Sequence, residues 1–389
     1  MIHVIGAGIA GLYAGYRLKA LGYRVTIHES NEIGGRVGTT RFAGTLVPTG
    51  AGIGRKSKDP LLLALCAELR VPVREFTTRT NYKVARVVNV AATARVLRDA
   101  LRTAQRAPNW PSYRATTTFR QFAARVLGPE EYRAFVETTG FSDFEDADIV
   151  DTVCEYGFED VVPGYTAFVP DWARLVRRLR AALDGCIVPG RFTRRDMNAE
   201  DTYIIATAID SVRALLPASA CFLGVAPQPF VRLYFTCDVD LACGFTVCTG
   251  LQKIIQMSGG APRAVYMIYC DNDAARAIAA EVGAGTIEGY VERWIAQLFR
   301  RRVRVGETRL VYWPCGTHYY TPLDARFASR DEHIAAMQAP ERNVFVVGEA
   351  VSKHQGWCEG ALESVESLLA NAGPRKILKG RQGFRTSPV

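Results

Sequence analysis

The chain opens with strand-type spacing. Residues 2–5, "IHVI", lead into six positions that carry Gly6, Gly8 and Gly11. "LYAGYRLKALGY" follows, with apolar residues at helical spacing up to Gly22. "RVTIHE" (24–29) predicts a second strand ending on Glu29. The same alternation returns late in the chain. In 199–217, "YIIATA" predicts a buried strand and "IDSVRALL" a short helix. Val344–Val347 predict another buried strand, running into Gly348 and Glu349 and a loop with Trp357. A helix follows from about Glu359, with apolar residues 361, 362, 365, 368 and 369 on one face.

The middle of the chain has a different texture. Residues 90–184 are helix-rich, with "TTFRQFAARVLG", "PEEYRAFVETTG" and "DWARLVRRLRAAL". Residues 228–270 read as strands, "PFVRLYFTCD", "GLQKIIQM" and "RAVYMIYCD"; "DAARAIAAEVG" and "TIEGYVERWIAQLFRR" then read as helices. Strand–helix alternation at both ends around a mixed middle predicts an α/β fold with an inserted α+β portion.

Length and composition narrow the setting. The 389 residues suggest two domains or one large one, and 48% apolar content supports a sizeable core. No apolar run approaches the roughly 18 residues of a membrane span, and no leader precedes the first strand. The ten cysteines form neither CxxC pairs nor metal spacings with histidine. The expectation is reduced thiols, no metal, and a soluble protein of the cytoplasm. The net charge of +9 gathers at 299–304, 174–180 and 374–385. These runs read as solvated helix faces and a basic tail (374–389). No zinc finger or RNA-recognition signature accompanies them, so nucleic acid is not the expected partner.

The first βαβ stretch carries the clearest chemistry. Gly6-Ala7-Gly8-Ile9-Ala10-Gly11 sits between strand and helix, and Glu29 ends the second strand. Gly6 permits a tight turn, Gly8 lets backbone approach a pyrophosphate, and Gly11 allows close helix–strand packing. The helix N-terminus offers free N–H groups to phosphate. Glu29 can accept from ribose hydroxyls, which favours FAD or NAD over NADP. Gly34-Gly35-Arg36 adds a second glycine turn. NAD has no need of it; it suits a longer ligand gripped twice.

With these motifs the chain resembles the flavin amine oxidase family, which includes monoamine and polyamine oxidases and the flavin histone demethylases. "PTGAGIG" (48–54) is similar to the family's further glycine-rich turn. The Glu-to-Gly-Gly-Arg spacing is one residue short, and Thr49 stands where an acid is common. The resemblance implies a Rossmann-type FAD-binding domain (1–75, 185–220, 340–373) interleaved with a mixed α+β substrate domain (76–184, 221–339). It implies that Gly348 approaches phosphates, that Glu349 bonds the ribityl chain, and that the last helix points at the flavin's pyrimidine edge. Trp357 would be one wall of an aromatic cage. The loop "VYWPCGTHYYTP" (311–322) would supply the second, Tyr319, with Tyr320 as alternate. His318 lies near the point of covalent attachment in some relatives; noncovalent FAD is expected, with His318 an exposed loop imidazole.

The family's lysine, which holds a water against flavin N5, falls on Arg232; Lys253 on the next strand is the other candidate. The acid-rich "GFSDFEDADIVDTVCEYGFED" could steer a cationic amine, though a solvated turn with helix caps is the favoured reading. This stretch, with "YMIYCDNDAARAI" and "QGWCEGALES", looks like short family members from large DNA viruses. The implied activity is oxidation of a small primary or secondary amine, with oxygen as acceptor. The alternatives are a flavin-dependent desaturase or isomerase on an apolar substrate, and a flavin-holding scaffold.

Overall fold

The computed structural model describes residues 1–158, 161, 164–259 and 264–377, with side chains described to residue 371. Glu159 and Asp160 of the acid-rich stretch, and residues 378–389 of the basic tail, lie outside the described residues.

The strands of the two large sheets are, in chain order, β1 (Ile2–Ile5), β2 (Val25–Glu29), β3 (Thr80–Lys83), β4 (Ile187–Pro189), β5 (Thr202–Ile205), β6 (Val225–Cys237), β7 (Phe245–Cys248), β8 (Gln252–Gln256), β9 (Val265–Asp271), β10 (Val305–Tyr320) and β11 (Val344–Val346). The helices that frame the site are α1 (Ile9–Ala20), α2 (Pro60–Glu68), α3 (Trp172–Ala182), α4 (Ile209–Leu215), α5 (Arg330–Gln338) and α6 (Cys358–Ile377).

One sheet has the order β11-β5-β1-β2-β4, and every pairing is parallel. Strands from both ends and the middle of the chain therefore lie side by side. Parallel strands need both faces covered. On one face α1, α3 and α6 bury Leu12, Leu18, Leu175, Leu179, Leu362 and Val365 in a single cluster with Val4 and Ile27. On the other, α4 and α5 pack Ile209, Val212 and Met337 against Tyr203, Ile205 and Val346. The α3 pattern explains its basic run: Trp172, Leu175 and Leu179 point inward, and Arg177, Arg178 and Arg180 outward. This helix belongs to the first sheet's core although its sequence lies in the 76–184 segment.

The second sheet, order β10-β6-β9-β8-β7-β3, is antiparallel except where β7 meets β3. Helices Asn272–Gly283 and Ile287–Phe299 cover one of its faces. Helices within 90–139 form a separate aromatic-rich cluster around Phe119, Phe135, Phe144 and Phe158. Among the described residues no helix is long and apolar enough to cross a membrane.

Two sequence readings need correction. The segment 311–322 is not a loop: residues up to Tyr320 end the sixteen-residue edge strand β10. Accordingly His318 is not exposed but buried, with 3% of its surface accessible. The acid-rich stretch is not a solvated turn either. Asp148 is fully buried on Arg114, Asp151 pairs with Arg330, and Glu145 accepts from the Tyr132 hydroxyl.

Gly11 is a close-approach glycine: a Cβ there would stand 1.9 Å from the Gly6 carbonyl oxygen. At Gly8 a Cβ would meet nothing within 4 Å. Gly11→Ala is therefore expected to cost about 1–3 kcal/mol of stability through overpacking, whereas Gly8→Ala leaves the unfolding midpoint near wild type. Denaturant melts of the two variants check the contrast.

Candidate active site

The carboxyl-end tips of β1, β2, β5 and β11 converge, because parallel strands all end on the same side of their sheet. At the tip of β1 the chain turns through Gly6, whose N–H donates to His28 O at 2.8 Å. Gly8 is the N-cap of α1 and has no side-chain cap, which leaves first-turn N–H groups available. Glu29 braces this turn. Its Oε2 accepts from Ala7 N at 2.6 Å and its Oε1 from Asn31 N at 2.8 Å. Beside Glu29 lies a cavity of about 290 Å³, lined also by Asn31, Ile33, Arg180, Asp184 and Ile187.

The second glycine turn folds back on the first. Gly34 N donates to Ala7 O at 2.8 Å, and Gly34 bridges to Gly8. Gly35 then lies beside Gly8 Cα. This places Arg36 at the centre of the site. Its Nη1 donates to Gly316 O at 2.6 Å and to Glu349 Oε1 at 2.7 Å. Gly348, with φ of 127°, makes the sharp exit from β11 and faces open space. At the tip of β5, Thr207 Oγ1 is buried with no partner, and its methyl group sits against Gly6.

Glu349 is buried between two cations. Burial alone would push its pKa up, but His318 and Arg36 beside it hold the carboxyl down at about 2. His318 shows the converse. Burial would lower it, yet the Glu349 charge, with the ring's hydrogen bonds to Cys315 and Glu349, raises it to about 9. His318 Nδ1 bonds Glu349 Oε1 directly, and Gly356 N donates to Glu349 Oε2 at 3.0 Å.

The expected cage walls have separate neighbours. Trp357 lies under the Arg55 guanidinium, 3.8 Å from its carbon to the ring centre, and Arg55 is buried on Asp59. Tyr319 lines a smaller cavity with Arg120, Glu145, Asp146 and Arg276. Tyr320 points to the opposite face of β10, buried, and donates to Ser352 O at 3.0 Å. Thr317, on Tyr319's face, touches Gly356, one residue from Trp357.

Arg232 and Lys253 share one rung of the second sheet, both paired with Tyr269 on β9. Arg232 stacks on the Tyr269 ring at 4.5 Å, and Lys253 Nζ lies over Phe141 and donates to Gly140 O at 2.5 Å. Arg232 Nε reaches across to Gly50 O at 2.7 Å, and its Nη1 meets Met267 Sδ. It thus ties the second sheet to the glycine-rich turn 48–54. Sequence reading missed three further grips on that turn. Tyr234 hydroxyl donates to Pro48 O, Trp313 Nε1 to Thr49 O, and Trp172 Nε1 to Gly52 O. It also missed Glu359, which starts α6 and accepts from Leu61 N and Leu62 N at the head of α2. Nothing local marks such partners, because each pair is distant in sequence.

The His318–Glu349 pair gives a signed pH dependence. The histidine part of its stability is complete below the unfolded pKa of about 6.5 and is lost as pH rises through about 9. The glutamate part is complete above the unfolded value of about 4.3 and is lost as pH falls through about 2. Thermal melting should decline from about pH 6.5 towards 9, and His318→Gln should flatten that alkaline limb. Arg232→Met is expected to cost about 1–3 kcal/mol by leaving Gly50 O unpaired, read in denaturant melts.

A family model described as an NAD(P)-binding Rossmann-like domain matches residues 4–69. No curated protein matches the chain. Among solved structures, a cofactor-binding redesign of putrescine oxidase superposes with a TM-score of 0.74 at 12% identity, covering 95% of this chain and 98% of that one. Wild-type putrescine oxidase bound to putrescine gives 0.72 at 12% identity with the same coverage. At such identity the likeness speaks for the fold: a parallel Rossmann sheet interleaved with a mixed second domain, the amine oxidase-like architecture expected from the sequence.

Proposed function

We propose that this protein holds FAD noncovalently in the crevice at the β1, β5 and β11 tips and oxidises small amines. The observation that carries the reading is a cradle with unmet polar capacity. Gly8 and Gly348 face open space, the head of α1 is uncapped, and Thr207 Oγ1 is buried without a partner. These features fit a dinucleotide. Glu29 and the cavity beside it would take the adenosine ribose. Gly6, Gly8 and Gly11 would bring the α1 N–H groups to the pyrophosphate, with Gly35 and Arg36 on its other side. Arg36 bonds Gly316 and Glu349 through Nη1, which leaves Nε and Nη2 for phosphate oxygens. Glu349 would accept from the ribityl hydroxyls beside Gly348, and the head of α6 would face the pyrimidine edge.

When bound, FAD would supply the acceptor, at flavin N5, for a hydride from the carbon beside the amine nitrogen, with oxygen as onward acceptor and hydrogen peroxide as product. The chain's part is to bind and orient. Trp357 and Tyr319 would flank the amine and exclude water. The putrescine bound in the wild-type neighbour makes diamines the first to try. Arg232 and Lys253 would set the charge behind the reacting face. An intracellular setting and a viral origin belong to the same reading and rest on the sequence alone.

One observation favours a second reading. Arg232, where the family's lysine is expected, is committed to Gly50 O and Met267. Arginine is not interchangeable with lysine, which suits a desaturase or isomerase that needs no such lysine.

Purified protein should be yellow and bleach on anaerobic mixing with an amine panel that includes putrescine. Bleaching by dithionite alone would favour the second reading, and a protein colourless after reconstitution would overturn the cofactor. Gly8→Val, which fills the open space, should lower flavin affinity by at least about tenfold while the apoprotein still folds.

A further inference from the structure

We propose that Cys315, His318 and Glu349 form a nucleophilic thiol site whose substrate is a small peroxide. Cys315 Sγ lies 3.2 Å from His318 Nε2, and His318 Nδ1 bonds Glu349. Ile209 N–H also points at Nε2, at 3.4 Å. In the neutral ring these two donors make Nε2 the acceptor and leave the proton on Nδ1, facing the carboxylate. This is the order acid, imidazole, nucleophile, in which the acid fixes the tautomer and the imidazole takes the thiol proton. The Glu349 charge stabilises the imidazolium that results.

Cys315 sits on a bulge of the edge strand, partly exposed and packed against the core beside His318. Trp313 pairs with Phe230 and Thr317 with Gln228, so Pro314, Cys315 and Gly316 bulge opposite the single residue Pro229. Cys315 is partly exposed, while Cys66, Cys237, Cys243, Cys248 and Cys270 are buried. Cys358, also partly exposed, is pushed up to about 12 by burial. Cys154 is the most exposed cysteine among those described, but partial burial and the neighbouring Glu155 raise its pKa. Exposure and the imidazole contact therefore point to different cysteines.

The reaction balances without a further reagent. With His318 in its neutral form, the Cys315 proton passes to Nε2, and the thiolate attacks one peroxide oxygen. An S–O bond forms and the O–O bond breaks. The departing hydroxide recovers the proton from His318 and leaves as water. Sulfur is oxidised by two electrons to a sulfenic acid, and the peroxide is reduced. Hydrogen peroxide as the source in the cell rests on the oxidase reading above; the reactivity of the thiol does not.

The purified full chain, with no amine present, is treated in separate arms with iodoacetamide and with hydrogen peroxide plus dimedone, and its peptides are followed by mass spectrometry. Cys315 should label on the order of tenfold faster than Cys154 in both arms. Cys315→Ser should melt like wild type and lose the fast phase. His318→Gln should slow Cys315 and move its labelling profile to higher pH. Labelling of Cys154 first, or an unchanged Cys315 pH profile in a folded His318→Gln protein, would overturn the proposal. A colourless protein that still labels at Cys315 would sink the flavin reading and leave this one standing.

Discussion

A buried carboxylate has to be met by charge, and Glu349 is met from two directions. Desolvating an unpaired carboxylate costs several kcal/mol even after relaxation. Here Arg36 arrives from the second glycine turn and His318 from the edge strand of the other sheet. Residues separated by 313 and 31 positions thus share one carboxyl oxygen. The tip of β11, the start of the chain and the end of β10 meet because the charge leaves no inexpensive alternative. Breaking one partner would strand the others.

The second sheet is fastened to the first by carbonyl oxygens rather than by apolar burial alone. In the turn 48–54, Pro48, Thr49 and Gly50 each present a carbonyl that a side chain of the second sheet takes, Tyr234, Trp313 and Arg232, while Trp172 of α3 takes Gly52 O. Small residues let the turn approach the sheet this closely. At Gly50 a Cβ would stand 2.0 Å from Arg36 O, so the turn's glycine also seats the backbone that carries Arg36. One turn therefore positions a cation of the first domain and receives a cation of the second.

The parallel sheet was legible because burial on both faces leaves continuous apolar runs such as Val344–Val347 and "YIIATA", and because Gly6, Gly8 and Gly11 sit where a strand becomes a helix. β10 was not. It lies at a sheet edge, and it carries Pro314 and Gly316, which read as turn residues. An edge strand tolerates both at a bulge, because one side of its backbone needs no partner strand. The buried state of His318 was lost with it. The acid-rich stretch misled for a related reason: its carboxylates are matched by Arg114 and Arg330, which lie 34 and 179 positions away from their partners. Composition announces charge but not pairing. Glu359 is the same case, since its role as the acceptor at the head of α2 depends on a contact across 298 positions.

The rung of Arg232, Tyr269 and Lys253 shows why exchange of a single cation matters more than its charge suggests. Both cations lie on one aromatic ring, in a setting where burial pushes the Tyr269 phenol pKa upward. A lysine at 232 would keep the charge but would have a single nitrogen to divide between Gly50 O and any task beyond it. The arginine fork reaches Gly50 with Nε and Met267 with Nη1, and still presents Nη2. Its planar face also covers Tyr269 in a way a compact ammonium cannot. The strut to the turn 48–54 and the stack on Tyr269 are consequently one side chain.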